Sequence, residues 1–292
     1  MSGAPLIALA TCERLPELDE DDAPLVRALA DRGFTTRPLI WTDPEPEGPV
    51  PAAVVLRSTW DWHLCPAEFR RWIDDLERRG VNLWNPAHVL RWNLDKAGYL
   101  ADLEQRGVRL VPTARLEAGG THDLPALLAE RGWDHAVVKP AESADGYRTQ
   151  RVRSAEPRAG IELLSEITRT GTALVQPYRE EIEREGEWSF LYFGGELSHV
   201  TLKRPARGEF RVQDTYGGTR ETVDDPPASL LADAHRAHEA AGGQDLLYVR
   251  VDGVRTEAGL EVMEVELVEP SLYFDGHLDR GERFAAALAA RL

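Results

Sequence analysis

Acidic residues near the C-terminal end of the chain have the spacing of a metal site. Glu264 and Glu266 lie in an apolar run, and alternate residues of a strand face the same side, so their carboxylates are expected side by side. Asp252, in the preceding apolar run, would lie opposite them in a hairpin. Carboxylates brought together repel one another unless a cation lies between them, and Mg²⁺ prefers such hard oxygen ligands. The pattern indicates a magnesium site or, alternatively, a solvated polar face at a sheet edge. The neighbouring residues that would face a core are Met263, Val265 and Leu267.

Segments further upstream carry groups that could bind a nucleotide. Lys139 closes an apolar run, and the loop 141–149 after it could cover phosphates with backbone N–H groups and the hydroxyl of Ser143. The run 175–178 ends where backbone amides could contact an adenine edge, and an acid in 180–187 could bind ribose hydroxyls. Each of these signals alone is more often structural.

A polar and aromatic loop follows the apolar run 53–57. Ligands of open parallel sheets bind beyond the carboxyl ends of the strands, so this loop is a candidate substrate site. Its candidate contacts are Arg57, Ser58, Thr59, Asp61 and His63. The alternative is that Trp60 and Trp62 only pack against a core.

The elements that would position these groups follow from the hydrophobic periodicity. The first ninety residues alternate strands and helices, which predicts a parallel sheet with crossover helices. The predicted strands are 6–10, 37–41 and 53–57, the helices 23–32 and 66–79, and the proline-rich loop 43–51. From about residue 84 we predict helices at 93–106, 124–131, 160–168, 228–241 and 284–292, an extended segment at 108–116, and strands at 135–139, 173–176, 187–193, 196–203, 247–254 and 261–268. Gly194-Gly195 predicts a two-residue hairpin turn.

The composition excludes several classes of protein. The 292 residues include 34 basic and 50 acidic side chains, a net charge of −16, and no basic block, which argues against a nucleic-acid binder. The longest apolar run, 6–10, is too short to span a membrane and no cationic segment precedes it, so we expect a cytoplasmic protein. Cys12 and Cys65 have no metal-ligand spacing and cannot form a disulfide framework. The chain has no Gly-x-Ser-x-Gly or Walker-type motif, which disfavours a hydrolase or a P-loop enzyme.

Taken in order, these segments resemble the ATP-grasp superfamily. The matching motifs are 93–96, 137–140, 175–178, 186–189, 251–252 and 264–266. The similarity is closest to the glutathione-synthetase-like members, and within them to the O-ureido-serine cyclo-ligase of cycloserine biosynthesis and its relatives. The loop 57–62 also resembles this narrower group. The resemblance implies an α/β (α+β) ATP-grasp fold. A parallel pre-grasp domain (1–90) would precede two α+β sub-domains (91–180, the lid, and 181–292) that clamp ATP.

The resemblance also implies roles for single residues at the nucleotide. Lys96 and Lys139 would contact the ATP phosphates, and Gln176 and Tyr178 would lie at the adenine. Glu187 would bind the ribose.

At the reacting end, Asp252, Glu264 and Glu266 would match metal-binding positions, although many relatives carry Asn where this chain has Glu266. Arg204 and Arg211 would face the γ-phosphate or a substrate carboxylate. The phosphate loop departs from the family, because Asp145, Tyr147 and Arg148 surround a single Gly146 where relatives have more small residues.

The activity implied is that of an ATP- and Mg²⁺-dependent carboxylate–amine ligase in natural product biosynthesis. It would form an amide-type bond through an acylphosphate on a small amino-acid-like substrate, in the narrower version within one molecule. The loop 141–149 would act as a lid that excludes water. Relatives also suggest a homodimer. The alternatives are a nucleotide-binding module without catalysis, which the unusual loop around Tyr147 favours, and a small-molecule kinase.

Overall fold

The N-terminal part of the chain folds as a parallel sheet with helices on both faces. The computed structural model describes residues 4–43 and 49–292, so most of the loop predicted at 43–51 lies outside the described residues. The elements are β1 (Leu6–Thr11), α1 (Ala23–Asp31), β2 (Thr35–Ile40), β3 (Ala53–Ser58), α2 (Pro66–Arg78) and β4 (Leu83–Trp84). The strand order is β2-β1-β3-β4, and the paired strands are parallel. The predicted parallel sheet with crossover helices is therefore confirmed.

Strand β1 explains why its sequence is an unbroken apolar run. Ile7 and Leu9 pack in the cluster that contains residues of α1, while Ala8 and Ala10 pack in the cluster that contains residues of α2. A strand covered on both faces has no side for polar residues. Side chains that meet a ligand must therefore come from the ends of the strands.

A pair of helices connects this sheet to the centre of the chain. The helix predicted at 93–106 is confirmed as α4 (Lys96–Gln105), which begins three residues later than predicted, and a separate helix that was not predicted, α3 (Ala87–Asn93), precedes it. The side chain of Asp95 accepts a hydrogen bond from the N–H of Ala97, and so satisfies a free donor at the start of α4. The break places Lys96 in the first turn of a new helix.

The central sheet is antiparallel, with both of its helices on one face. Its elements are β5 (Ala114–Leu116), α5 (Leu124–Arg131), β6 (His135–Pro140), β7 (Gln150–Arg153), α6 (Arg158–Ile167) and β8 (Ala173–Pro177), in the strand order β5-β8-β6-β7. Ala136 and Val138 of β6 pack with the helices. Val137 and Lys139, on the opposite side of the same strand, line a cavity. Strand alternation thus sends one set of side chains to the core and the other to the cavity.

The C-terminal sheet has five antiparallel strands in the order β11-β10-β9-β12-β13. Its elements are α7 (Glu181–Arg184), β9 (Glu187–Phe193), β10 (Glu196–Arg204), β11 (Thr219–Thr222), α8 (Ala228–Ala241), β12 (Tyr248–Thr256), β13 (Gly259–Glu266) and α9 (Leu278–Ala289). Gly194 and Gly195 both have positive φ, 59° and 96°, as a two-residue hairpin turn requires, so that prediction is confirmed. The last helix begins before its predicted start at residue 284.

Helices α1 and α9 join the first and third sheets. Gly281 of α9 lies so close to α1 that an added Cβ would meet the carbonyl oxygen of Pro24 at 2.5 Å. Ile7, Leu247 and Phe284 belong to one shared core cluster, whereas the helix-covered face of the central sheet forms a cluster of its own with α5 and α6. In the described part of the chain, no helix is long and apolar enough to cross a membrane.

Candidate active site

A cavity of about 410 Å³ lies where the three sheets meet. The N-terminal sheet contributes Trp60 and Trp62 from the loop after β3, and the central sheet contributes Lys139 and Gln176. The remaining wall is the C-terminal sheet, whose charged lining residues include Glu187, Lys203, Arg250, Asp252, Glu264 and Glu266. The cavity is therefore built from every part of the fold.

The hairpin of β12 and β13 carries the three predicted metal ligands. Asp252 pairs directly with Glu264 in the antiparallel register, and Glu266 pairs with Arg250. All three carboxylates line the cavity. The structure thus brings these acids onto one wall, rather than onto a solvated sheet face.

A bulge in this hairpin corrects one expectation. Asp252 pairs with Glu264 but the next residue, Gly253, pairs with Val262, so Met263 is an extra residue without a partner. Met263 was predicted to face the core, but it lines the cavity instead. The core positions on β13 and just after it are filled by Leu260, Val262, Val265 and Leu267.

Cations of the protein lie between the carboxylates. The ammonium of Lys139 is 2.6 Å from Glu264, and the guanidinium of Arg250 contacts both Asp252 (2.9 Å) and Glu266 (2.6 Å). The ligand atoms of the three acids are accordingly not all within 4.8 Å of one another. The repulsion that was expected to need a metal ion is relieved here by basic side chains.

These contacts decide the charge of each acid. Burial would raise the pKa of Glu264, but Lys139 and then Lys96 outweigh it and lower that pKa to about 2. Burial also opposes ionisation of Asp252, and Arg250 outweighs it and lowers the pKa. The pKa of Glu266 is raised, because burial is the largest effect there and Arg250 only partly offsets it. Two of the three carboxylates are thus firmly ionised, as oxygen ligands of a cation must be.

The two lysines that the resemblance assigns to phosphates converge on Glu264. Lys139 ends β6 and is 6% exposed, while Lys96 comes from the start of α4. The Nζ atom of Lys96 lies 3.8 Å from Glu264 and donates a hydrogen bond of 2.7 Å to the carbonyl of Ser143. The hydroxyl of Ser143 is buried and donates to the carbonyl of Pro140. Two ammonium groups from different elements therefore point at one spot.

The predicted nucleotide contacts Gln176, Tyr178 and Glu187 also line the cavity. Gln176 donates a hydrogen bond of 2.9 Å to the hydroxyl of Thr113, and the ring of Tyr178 is covered by the guanidinium of Arg151 at 3.7 Å. Apolar side chains line it too, namely Val111, Val137, Ile182 and Met263. Glu187 accepts a 2.5 Å hydrogen bond from Lys203, so its carboxylate is paired. An apolar slot beside polar backbone is suited to a flat heterocycle.

The loop 141–149 is folded against the segment 211–216. The hydroxyl of Tyr216 donates to the carbonyl of Asp145 at 3.4 Å, and the guanidinium of Arg211 lies 3.5 Å above the ring of Tyr216. Arg211 lines the cavity and makes a two-pronged ion pair with Glu209. The loop therefore covers one side of the cavity.

Arg204 does not reach the cavity. It is the last residue of β10, and its half-exposed side chain contacts Glu221 and the carbonyl of Glu185. Its neighbour Lys203 lies on the opposite face of the strand, lines the cavity and contacts Asp252 at 3.3 Å. Burial opposes the charge on Lys203, but Asp252 and Glu187 outweigh it and raise its pKa. Lys203 therefore occupies the place that the sequence interpretation gave to Arg204.

The loop after β3 presents different side chains from those expected. Arg57 is buried in an ion pair with Asp22 (2.8 Å), and Ser58 shares a hydrogen bond with Thr11 (2.9 Å). Thr59 is fully buried, and Asp61 accepts a 2.6 Å hydrogen bond from Trp41. None of the four predicted substrate residues, Arg57, Ser58, Thr59 and Asp61, lines the cavity, and neither does His63.

The two tryptophans of this loop line the cavity instead. The indole N–H of Trp60 donates to the carbonyl of Glu269 at 2.9 Å, and that of Trp62 donates to the carboxyl of Glu269 at 2.5 Å. Burial, followed by the nearby Glu266, raises the pKa of Glu269 to about 8. A carboxyl that is neutral at neutral pH thus lies in the wall.

Sequence reasoning missed Arg250, Lys203 and Glu269 as cavity residues. A signal existed for Arg250, because it precedes Asp252 by two positions on the same strand and so shares its face. Lys203 and Arg204 are neighbours on one strand, so their side chains face opposite sides and only one of the two can line the cavity. Glu269 follows β13, and only the approach of Trp62 from the loop after β3 reveals it.

The class of protein follows from the fold and this cavity. The solved structure of a RimK domain ATP-grasp protein from Sphaerobacter thermophilus superposes with a TM-score of 0.70 over 97% of this chain and 99% of that one, at 21% identity. The chain thus has the ATP-grasp fold.

More specific similarities identify the family. Residues 7–85 match the model of the family described as D-cycloserine synthetase DcsG, N-terminal domain. The cycloserine biosynthesis protein DcsG of Streptomyces lavendulae is 33% identical over 98% of this chain and 99% of that protein. The crystal structure of D-cycloserine synthetase DcsG superposes with a TM-score of 0.87 at 31% identity, over 98% of this chain and 99% of that one. The chain belongs to the DcsG family and is an ATP-grasp ligase.

Proposed function

We propose that this ligase uses ATP and Mg²⁺ to activate the carboxylate of an O-ureido-serine-type amino acid and then closes a cycloserine-type ring within that molecule. The observation that carries the proposal is the convergence of Lys96 and Lys139 on Glu264 at the wall of one cavity. The substrate class rests on the similarity to D-cycloserine synthetase. The cavity volume, about 410 Å³, is in the range of small-molecule sites.

The chemistry requires charge neutralisation more than a nucleophilic side chain. A substrate carboxylate oxygen attacks the γ-phosphorus, the bond to the ADP oxygen breaks, and an acylphosphate forms. A nitrogen of the same substrate then attacks the acyl carbon, loses a proton, and expels phosphate. Lys96, Lys139, Lys203 and Arg250 surround the site of this transfer and offset the charge on the phosphates.

Asp252, Glu264 and Glu266 are the residues that would hold Mg²⁺. Their oxygens are the donors that this ion prefers, and they share one wall of the cavity. The bound ion would neutralise charge on the polyphosphate. When the phosphates enter, Lys139 has a stronger anionic partner than Glu264, which frees that carboxylate as a ligand.

The central sheet, within the predicted sub-domain 91–180, would act as the lid over the nucleotide. Its separate core supports movement as a unit. Loop 141–149 would exclude water, because an acylphosphate hydrolyses readily. Gln176 and Tyr178 would contact the adenine, Glu187 the ribose, and Arg211 the γ-phosphate or the substrate carboxylate. A homodimer remains a prediction from the relatives.

The test is a turnover assay on the purified chain with ATP and Mg²⁺. Both enantiomers of O-ureido-serine, other O-substituted serines and unsubstituted serine are supplied separately, and ADP, phosphate and product mass are recorded. We expect ADP and phosphate in equal amounts and a cyclic product from an O-ureido-serine only. Nucleotide stabilisation without turnover on any of these compounds would contradict the ligase and favour a nucleotide-binding module.

Hydroxylamine separates the ligase from a kinase. An acylphosphate reacts with hydroxylamine to give a hydroxamate, whereas a phosphate ester does not. We expect hydroxamate to form only when ATP and the substrate are both present. A stable phosphorylated product without hydroxamate would identify a kinase.

A further inference from the structure

Helix α8 carries two histidines and a glutamate on one side near its C-terminal end. His235, His238 and Glu239 occupy positions i, i+3 and i+4, which are neighbours on a helix surface. One ligand atom from each lies within 4.8 Å of the other two, and no other group of three His, Cys, Asp or Glu residues in 4–43 and 49–292 meets that distance. None of the three lines the cavity. The cluster is therefore distinct from the active site.

The central histidine of this cluster is not satisfied by hydrogen bonds. His238 is fully buried, its Nδ1 atom approaches the carboxylate of Glu239, and neither ring nitrogen makes a well-aligned hydrogen bond within the described residues. Its ring is stacked on Tyr192 of β9, with the centroids 4.3 Å apart and an interplanar angle of 11°, so packing fixes its orientation. Buried polar atoms are nearly always satisfied in folded proteins. The unpaired ring therefore points to a ligand that binds at this place.

The distances match those around a tetrahedral metal ion. The Nδ1 atom of His238 lies 3.2 Å from Oε1 of Glu239. Two donors that are each about 2.0–2.1 Å from a tetrahedral ion are roughly 3.3 Å apart. His235 is exposed, so its side chain can turn to complete the set. The last turn of a helix also carries partial negative charge, which favours a cation.

We propose that His235, His238 and Glu239 bind one divalent transition metal ion of the Zn²⁺ type near the C-terminal end of α8, beside Tyr192 of β9. Two imidazoles and one carboxylate are a common set of zinc ligands, and water would complete the tetrahedron. Mg²⁺ prefers oxygen ligands and does not compete well here. The ligand types therefore favour Zn²⁺ at this site and Mg²⁺ at the carboxylates of the cavity.

The consequence is structural. Helix α8 packs on β12 and β13, the strands that carry Asp252 and Glu264. An ion bound by three residues of the last two turns of α8 stabilises the C-terminal end of that helix. The metal stabilises the folded chain and takes no part in turnover.

The test measures Zn²⁺ binding to the full chain after chelator treatment, with Mg²⁺ and ADP in excess to fill the cavity. Calorimetric titration gives the stoichiometry, and Co²⁺ replaces Zn²⁺ in a parallel experiment, since tetrahedral cobalt absorbs visible light strongly. The variants are His235→Ala and Glu239→Gln, both at exposed positions, so that folding is preserved. The matched control is His88→Ala, an exposed histidine on α3.

We expect one Zn²⁺ per chain, a tetrahedral cobalt spectrum and a higher unfolding temperature with Zn²⁺. Either variant should weaken binding by at least about tenfold, whereas the His88→Ala control keeps it. Equal Zn²⁺ binding by the wild type and both variants would overturn the proposal. So would the absence of any Zn²⁺ binding when Mg²⁺ and ADP fill the cavity. An octahedral cobalt spectrum would also contradict it.

Discussion

Two regions of this molecule were predicted to bind ligands, and the structure brings the predicted residues to the cavity in only one of them. In the hairpin of β12 and β13, the structure places Asp252, Glu264 and Glu266 on the cavity wall, as their spacing predicts. At the end of β3 and in the loop after it, the expected substrate residues make contacts of their own away from the cavity, and the two tryptophans line the cavity. The difference lies in what orients the side chains.

In a strand, the backbone itself decides which way a side chain points. Alternation is a property of the extended chain, so Glu264 and Glu266 share a face whatever surrounds them. In a loop, orientation depends on partners from elsewhere. The carboxylate of Asp61, for example, accepts a hydrogen bond from the indole N–H of Trp41, 20 positions earlier. The comparison teaches that spacing within a strand predicts a site more reliably than polarity within a loop.

The largest effect should come from the hairpin, in the variant Glu264→Gln. It keeps the shape of the side chain but removes the anion that Lys96 and Lys139 contact. We expect ADP formation to fall by about 10³-fold or more with the fold intact. Glu257→Gln, at the exposed hairpin turn, is the control and should change the rate by less than about twofold. Full activity of Glu264→Gln would refute the role of this wall.

Neighbouring residues of β10 extend the comparison to a second strand. Lys203→Gln should lower the rate by about 10²-fold, because it removes a cation from the cavity. Arg204→Gln should change it by less than about threefold, because that side chain faces Glu221. The measurements are initial rates together with unfolding temperatures. A larger loss for Arg204→Gln would show that alternation does not decide function here.

Substitutions at the end of β3 should change the stability of the protein rather than its substrate binding. Arg57→Ala leaves the buried carboxylate of Asp22 unpaired and should lower the free energy of unfolding by about 3 kcal/mol. Ser58→Ala should cost only about 1 kcal/mol. Urea unfolding measures both, with the exposed Arg71→Ala as control. A higher KM for Arg57→Ala with unchanged stability would instead show that this residue contacts the substrate.

The smallest effect is a pH dependence where the two regions meet, at Glu269 and Trp62. Burial, and then Glu266, raises the pKa of Glu269 from 4.5 to about 8, so its stabilising protonated form is lost as the pH rises through about 8. The free energy of unfolding should therefore fall more steeply with pH in the wild type than in Glu269→Gln between about pH 5 and 8, and the two curves should run parallel above that range.

The measurement is urea unfolding without nucleotide or metal at several pH values. The exposed Glu130→Gln should follow the wild-type curve. If the curves of the wild type and of Glu269→Gln are parallel over the lower range as well, Glu269 does not keep its proton in the folded protein.

Much of the fold was predictable, and the failures have local causes. The parallel sheet, the Gly194-Gly195 hairpin and the hairpin of β12 and β13 follow from periodicity and turn residues. The helix predicted at 93–106 begins only at Lys96, because Asp95 caps its start, and a continuous helical pattern does not show that boundary. Met263 faces the cavity because of a bulge, and one extra residue in a strand leaves no mark in the alternation.

The sequence by itself determined the alternation of the strands, the order of the motifs and hence the acids and lysines available for ATP chemistry. These features depend on local backbone geometry, which each segment carries with it. Only the tertiary structure decided which cations lie between the acids, that Arg57 is buried, and that Trp62 meets Glu269. Such contacts join residues far apart in the chain, because packing and desolvation are settled only when the three sheets come together.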